Sequence, residues 1–253
     1  MTYLIYDGSF DGLLSAIFDV YALKLNQVSI QKAGLPAQQL FSTTIESSTD
    51  ETKSNRVRDK IINFLGKDGL QSLWKATLSE IDGIENTVLG VAQYALKEQK
   101  NILGDFGHPD VLRLQDILKK INRERHRMTA FVRFELANDG VFYAVIEPDF
   151  YVLPLIAKHF EKRYADQRWL IFDTKRNYGI FYDLQQVITV EIHQTLHENS
   201  PAVLRLEWDE SEKEFQKLWK NYFKSTNIAS RKNTKLHLQH VPRRYWKYLV
   251  EKH

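Results

Sequence analysis

Cysteine is absent from all 253 residues. That excludes a disulfide framework, a thiol nucleophile, a thiolate zinc site and an iron–sulfur cluster held by this chain itself. No apolar run approaches the roughly 20 residues of a membrane-spanning helix. Met1 leads straight into Tyr3, Leu4, Ile5 and Tyr6 without the basic start of a signal peptide, so a cytoplasmic protein with no membrane partner is expected. Catalytic signatures are missing as well: there is no GxSxG, GxGxxG or HExxH motif and no paired-carboxylate pattern specific to a hydrolase. His193 and His197 stand four apart, but in a polar stretch that reads as strand running into loop, which suits surface histidines better than a metal pair. No resident cofactor is implied.

What is present is an ordinary globular composition, 43% hydrophobic and 26% charged, with enough chain for one large domain or two modest ones. The net charge of +3 conceals a division. From Phe215 to His253 ten basic residues face the single acid Glu251, a net of +9, and the preceding 214 residues carry a net of −6. A basic tail on an acidic body points to a polyanionic partner.

The chain falls into five stretches. Residues 1–41 read as a strand at Tyr3–Tyr6, a turn, and a helix whose face is Phe10, Leu13, Leu14, Ile17, Phe18, Tyr21 and Leu25. Residues 42–55, STTIESSTDETKSN, have almost nothing to bury and read as an exposed linker. Residues 56–127 read as all-helical, with helices near 57–65, 70–79, 84–103 and 109–122 broken by Gly66, Gly69, Gly83, Gly104 and Pro109. In residues 128–200 two apolar runs, 129–136 and 141–146, flank the Asn138–Asp139–Gly140 turn as a hairpin. A helix over 152–164 and strands at 169–172, 178–182 and 187–192 follow. The order β-β-α-β-β-β predicts an α+β fold with a largely antiparallel sheet, an all-helical insertion and a helical, basic C-terminal segment. In residues 201–253, Ser211 and Glu214 form a capping box ahead of the stripe Phe215, Leu218, Trp219, Tyr222 and Phe223, and a second short helix starts at Pro242.

Three clusters are candidates for function. Arg231, Lys232, Asn233, Lys235, His237, His240, Arg243 and Arg244 lie close in sequence, flanked by Trp219, Tyr222, Tyr245 and Trp246. Basic side chains neutralise phosphates by counterion release, and aromatic faces stack unpaired bases; helical spacing also fits Trp219, Phe223 and Trp246 to core packing. A second basic run contains Arg123, Arg125 and Arg127 with only Glu124 opposing, and a helix C-terminus would attract such cations on its own. The third cluster is the turn Asp7, Gly8, Ser9, Phe10, Asp11, Gly12. Gly8, Ser9 and Gly12 could present backbone N–H groups to a phosphate, and Asp7 and Asp11 could hold Mg²⁺; equally, these are good turn and capping residues.

The opening YDGSFDGLLSAIFDVY, the middle FYAVIEPDFYVLPLIAKHFEKRYADQRWLIFDTKRNYGIFYD and the closing WKNYFKSTNIASRKNTKLHLQHVPRRYWKYLVE resemble a bacterial family of DNA repair or DNA metabolism proteins. The resemblance implies a gene beside that of a radical-SAM protein acting on DNA, and a related domain fused to uracil-DNA-glycosylase-like domains. Its recurrent positions fall on Tyr6, Asp7, Gly8, Phe10, Asp11 and Gly12 and on Arg231, Asn233, His237, Pro242, Arg244, Tyr245 and Trp246. This chain has no glycosylase domain, and without cysteine any iron–sulfur cluster must come from the partner. The resulting expectation is a DNA-binding accessory protein working with a radical-SAM partner, without a recognised catalytic motif of its own. Two alternatives stand beside it: a metal-dependent DNA-processing enzyme using Asp7 and Asp11 with His237 as acid or base, and an interaction module whose basic tail docks on a protein.

Overall fold

A computed structural model describes residues 1–34, 43–191, 216–218, 238 and 240–252. The chain forms two compact units, Met1–Asn122 and Arg123–His253, and its architecture is α+β.

In the first unit, β1 (Thr2–Tyr6) lies between β2 (Val28–Lys32) and β3 (Thr43–Glu46), and both pairings are parallel. A central strand is covered on both faces, and Tyr3, Leu4 and Tyr6 are all buried. Helix α1 (Phe10–Ala22) is capped by Ser9, whose hydroxyl accepts from the Gly12 N–H, and it buries Leu13, Leu14, Ile17 and Val20. Helix α2 (Glu51–Thr77) is capped by Asp50, which accepts from the Lys53 N–H, and packs along α1 and α3 (Ile84–Glu98).

Two features here differ from the sequence expectations, and a third matches them. The 42–55 stretch contains β3 and the cap of α2 rather than a plain linker. As an edge strand with only Ile45 half-buried, β3 needs no apolar composition. β2 adds a strand that the pattern does not announce, because its only apolar signal is Val28 and Ile30 within five residues. The two helices expected at 57–65 and 70–79 are the limbs of α2, sharply broken at Gly66, whose φ of 76° and ψ of 174° leave the helical region.

Helix α4 (Pro109–Phe131) runs well past Asn122. Buried Ile117, Ile121, Glu124 and Met128 continue one helical stripe, and this stripe absorbs the first half of the apolar run expected as a strand. Only β4 (Glu135–Leu136) remains of that strand, pairing antiparallel with β5 (Phe142–Ile146) across the Asn138–Gly140 turn.

In the second unit β5, β6 (Trp169–Asp173), β7 (Tyr178–Tyr182) and β8 (Val187–Glu191) complete a five-stranded sheet in sequential order. Every pairing is antiparallel except β5–β6, which are parallel and joined through α5 (Leu153–Arg163). Rings of Phe134, Phe160, Trp169 and Tyr182 pack edge-on and stacked in its core. The short helix expected at Pro242 is a 3-10 helix, Arg243–Tyr248, followed by a 3-10 turn, Val250–Lys252. Among the described residues no helix is long and apolar enough to cross a membrane.

Candidate functional site

The order β2-β1-β3 reverses direction at β1, and in open parallel sheets the crevice beyond the strands' carboxyl ends at such a reversal is where ligands bind. Asp7 occupies that place. Its Oδ1 accepts from the Ser9 N–H (2.8 Å) and hydroxyl (2.7 Å), and its Oδ2 accepts from Thr49 Oγ1 (2.7 Å) beyond β3. Partial desolvation pushes the Asp7 carboxyl up, but the bonds from Thr49 and Ser9 outweigh it and hold the group below the usual carboxylate range. Gly12 closes the knot: a Cβ there would overlap Asp7 Oδ1 and stand 2.8 Å from Thr49 Oγ1.

Asp11 takes a different partner, the Arg58 guanidinium, which also donates to Asn55. Both candidate magnesium ligands are thus engaged by protein groups. Among the described residues no group of three or more His, Asp or Glu side chains is placed to hold a metal ion. Beside the turn, Phe10, Arg58, Lys67, Asp68, Leu70, Gln71 and Trp74 line an open groove of about 500 Å³.

The carboxyl ends of the parallel pair β5–β6 carry Glu147 and Asp149 on one loop and Asp173 and Arg176 on the next. Asp173 is fully buried; burial pushes its carboxyl up, and the Arg176 guanidinium at 2.8 Å opposes that shift. Arg176 also donates to the Pro148 carbonyl (3.3 Å), and Lys175 to the Asp149 carbonyl (3.0 Å).

Glu124 of α4, 1% exposed, accepts from the Asp149 N–H (3.0 Å), the Tyr245 hydroxyl (2.6 Å) and Arg244 Nη2 (3.2 Å), with Arg127 at 3.9 Å. Arg244 also reaches Asp149 Oδ2 at 2.6 Å and lies over the Tyr245 ring. Lys247 and Tyr248 both bond Glu147, and Arg133 bonds Glu251 at 2.8 Å. The 3-10 helix is thereby tied down by ion pairs along its length.

The match to a family model covers residues 82–251, most of the chain, and with it the whole of this network. The chain belongs to the DUF4130 family, a domain of unknown function. No curated protein matches it.

Within the DUF4130 region the basic candidates sort by partner. Arg123, Arg125 and Arg243 are exposed, and among the described residues none of the three has a carboxylate partner; Arg243 lies 6.0 Å from the Trp246 ring centre. Arg127 and Arg244 serve the buried Glu124. Tyr245 is 2% exposed, so its ring packs on Phe131 and is not available to stack a base. The helix-terminus explanation for Arg123, Arg125 and Arg127 falls away, because α4 continues to Phe131. Arg231, Lys232, Asn233, Lys235 and His237, like Trp219, Tyr222 and the Ser211–Glu214 box, lie outside the described residues.

Sequence reasoning passed over Glu124, Glu147, Asp149, Asp173 and Arg176. A carboxylate inside the apolar stripe of α4 was the available signal for Glu124; the others read only as turn residues, and their position beyond two parallel strands was needed to mark them.

Proposed function

We propose that this chain is a DNA-binding accessory protein of DNA metabolism whose strand contact is made by exposed arginines of its second unit, working with a radical-SAM partner that supplies the iron–sulfur chemistry this chain has no cysteine to support. The observation that carries the reading is the set of exposed arginines, Arg123, Arg125 and Arg243, free of carboxylate partners among the described residues, in the unit that also holds the +9 stretch. Arg127, Arg133, Arg176, Arg244 and Lys247 are paired with carboxylates inside this unit, whereas an exposed cation without such a partner is a surface for an external anion.

Fluorescence anisotropy with single- and double-stranded oligonucleotides across a salt series tests this. Replacing Arg123, Arg125 and Arg243 by alanine together is expected to weaken binding and to flatten the log–log salt slope by about one for each phosphate that is no longer neutralised. Affinity indifferent to salt, or unchanged in the triple variant, overturns the reading. Co-purification with the partner that survives nuclease treatment, without any DNA binding, would instead favour a protein-docking role for the basic tail.

A further inference from the structure

The groove in the first unit lies outside the region matched by the family model and takes no part in the proposed DNA contact of the second unit. Its walls come from three places. Phe10 opens α1 directly beyond the carboxyl end of β1; Arg58 stands on the first limb of α2, which follows β3; Lys67, Asp68, Leu70, Gln71 and Trp74 stand on the second limb, past the break at Gly66. A straight helix could not fold these two limbs around a shared space. Gly66 sits at a φ that side chains rarely adopt and has nothing within 4 Å of where a Cβ would be, so its backbone conformation, not close packing, is what calls for glycine.

The lining has a definite chemistry. Phe10 and Trp74 are half-buried and offer aromatic surface, and Leu70 adds an apolar wall. Lys67 is exposed and has no carboxylate partner among the described residues, whereas Arg58 is held by Asp11 and faces the space as an oriented, partly neutralised donor. Gln71 supplies both an amide donor and a carbonyl acceptor, and Asp68 supplies a carboxylate. Flat aromatic surface wants a flat ring; Lys67 wants an anion; Asp68 and Gln71 want N–H groups with an acceptor beside them. One common ligand class carries all three, a nucleobase bearing a phosphate. The volume, about 500 Å³, lies in the range of small-molecule sites, and the location beside the strand-order reversal is where parallel sheets bind such ligands.

We propose that this groove seats a single nucleobase together with its phosphate, the ring against Trp74 and Phe10, the phosphate toward Lys67, and the base edge toward Gln71 and Asp68. A free nucleotide and an unpaired nucleotide within a strand present the same chemistry.

Titration calorimetry on the full chain with deoxycytidine monophosphate, and in parallel with a short single-stranded oligodeoxycytidylate, separates these sources. Trp74→Ala is expected to weaken binding of the occupant roughly 5- to 150-fold, the range for loss of one base stack. Lys67→Glu, on an exposed side chain that the fold does not need, should weaken it several-fold and reduce its dependence on salt. Trp74→Phe should recover much of the loss and guards against a folding defect in the alanine variant. Monophosphate binding sensitive to these variants supports a free-nucleotide site. Oligonucleotide binding alone sensitive to them supports a base flipped or frayed from a strand. Binding of neither probe, or binding that ignores Trp74 and Lys67, overturns the proposal. Because Arg123, Arg125 and Arg243 lie in the other unit, their triple alanine variant should still bind the monophosphate normally, which keeps failure of this proposal distinct from failure of the DNA-binding one.

Discussion

Each unit presents carboxylates at the carboxyl ends of parallel strands, and the one that directly follows β1 is satisfied by different means from those at the ends of β5 and β6. Asp7, beyond β1, is held by neutral donors from Ser9 and Thr49, the first within its own turn and the second just past β3. Glu147 and Asp149, beyond β5, and Asp173, the last residue of β6, are held by cations; two of these, Arg244 and Lys247 of the 3-10 helix, arrive from a distant part of the chain, and Arg176 comes from the adjoining turn. The same topological position is therefore left open in the first unit, with a groove beside it, and is covered by the protein's own arginines and lysines in the second. A cleft at the end of parallel strands is an opportunity for a ligand only where the chain has not already supplied the complement. Of the adjacent Arg243 and Arg244, which look equally suited to a polyanion by sequence position, Arg244 is the one already engaged.

The sharpest way to break the contrast is to remove the anchor of the covered site. Glu124→Ala leaves the Tyr245 hydroxyl, the Asp149 N–H and Arg244 without their shared acceptor. Since the Arg244 side chain is 43% exposed and can turn to water, the expected cost is about 2–3 kcal/mol rather than the full penalty of a broken buried ion pair. A urea titration would read it, and hydrogen exchange should place the loss in the second unit; equal loss in the first unit would dissolve the distinction between them.

Next in size is Gly12→Ala. The added methyl must displace Asp7 Oδ1 from a carboxylate tied by three hydrogen bonds, and overpacking of this kind costs about 1–3 kcal/mol. Combining it with Asp7→Ala should relieve part of that cost, a coupling visible in a double-mutant cycle. A neutral Gly12→Ala would mean that the turn is looser than its bonds imply.

The smallest effect sharpens the comparison through pH. Hydrogen bonds from Lys247 and then Tyr248 hold the Glu147 carboxyl below its ordinary range. A carboxylate with a depressed folded value stabilises above its unfolded pKa of about 4.3, and that contribution is lost as pH falls through the lower folded value. Both side chains are about half exposed, so the pair is worth about 0–1 kcal/mol. Exchange protection over residues 243–252 should drop as the solution is acidified below about pH 4, and Glu147→Gln should remove the part of that drop due to this pair. A drop of unchanged size in the variant would show that this pair does not carry it.

The sequence announced the α+β class, the helix over 153–163, strand β7 and the break at Gly66 through period, turn residues and glycine placement. It misplaced features where two physical signals overlapped. The run from Thr129 to Leu136 is apolar enough for a strand, but Met128 and Val132 continue the stripe of α4, and helical propagation takes the run as far as Phe131. β3 was invisible because an edge strand carries no apolar alternation. In the candidate sites, the exposure of Arg123 and Arg243 was legible from a local excess of charge. The engagement of Arg244 and Tyr245 was not, because their partner Glu124 lies 120 and 121 residues away in sequence, and no local pattern encodes a pairing at that range.

That separation bears on how the molecule is made. A buried carboxylate on α4 is costly to enclose until its donors are present, and Arg244 and Tyr245 leave the ribosome 120 and 121 residues after it. Domains emerging first can fold first. Met1–Asn122 can therefore close while synthesis continues, whereas the second unit can complete its core only once Arg244 and Tyr245 have emerged. A chain stalled or clipped before Arg243 would carry a finished first unit attached to a second unit with an unmatched charge at its heart.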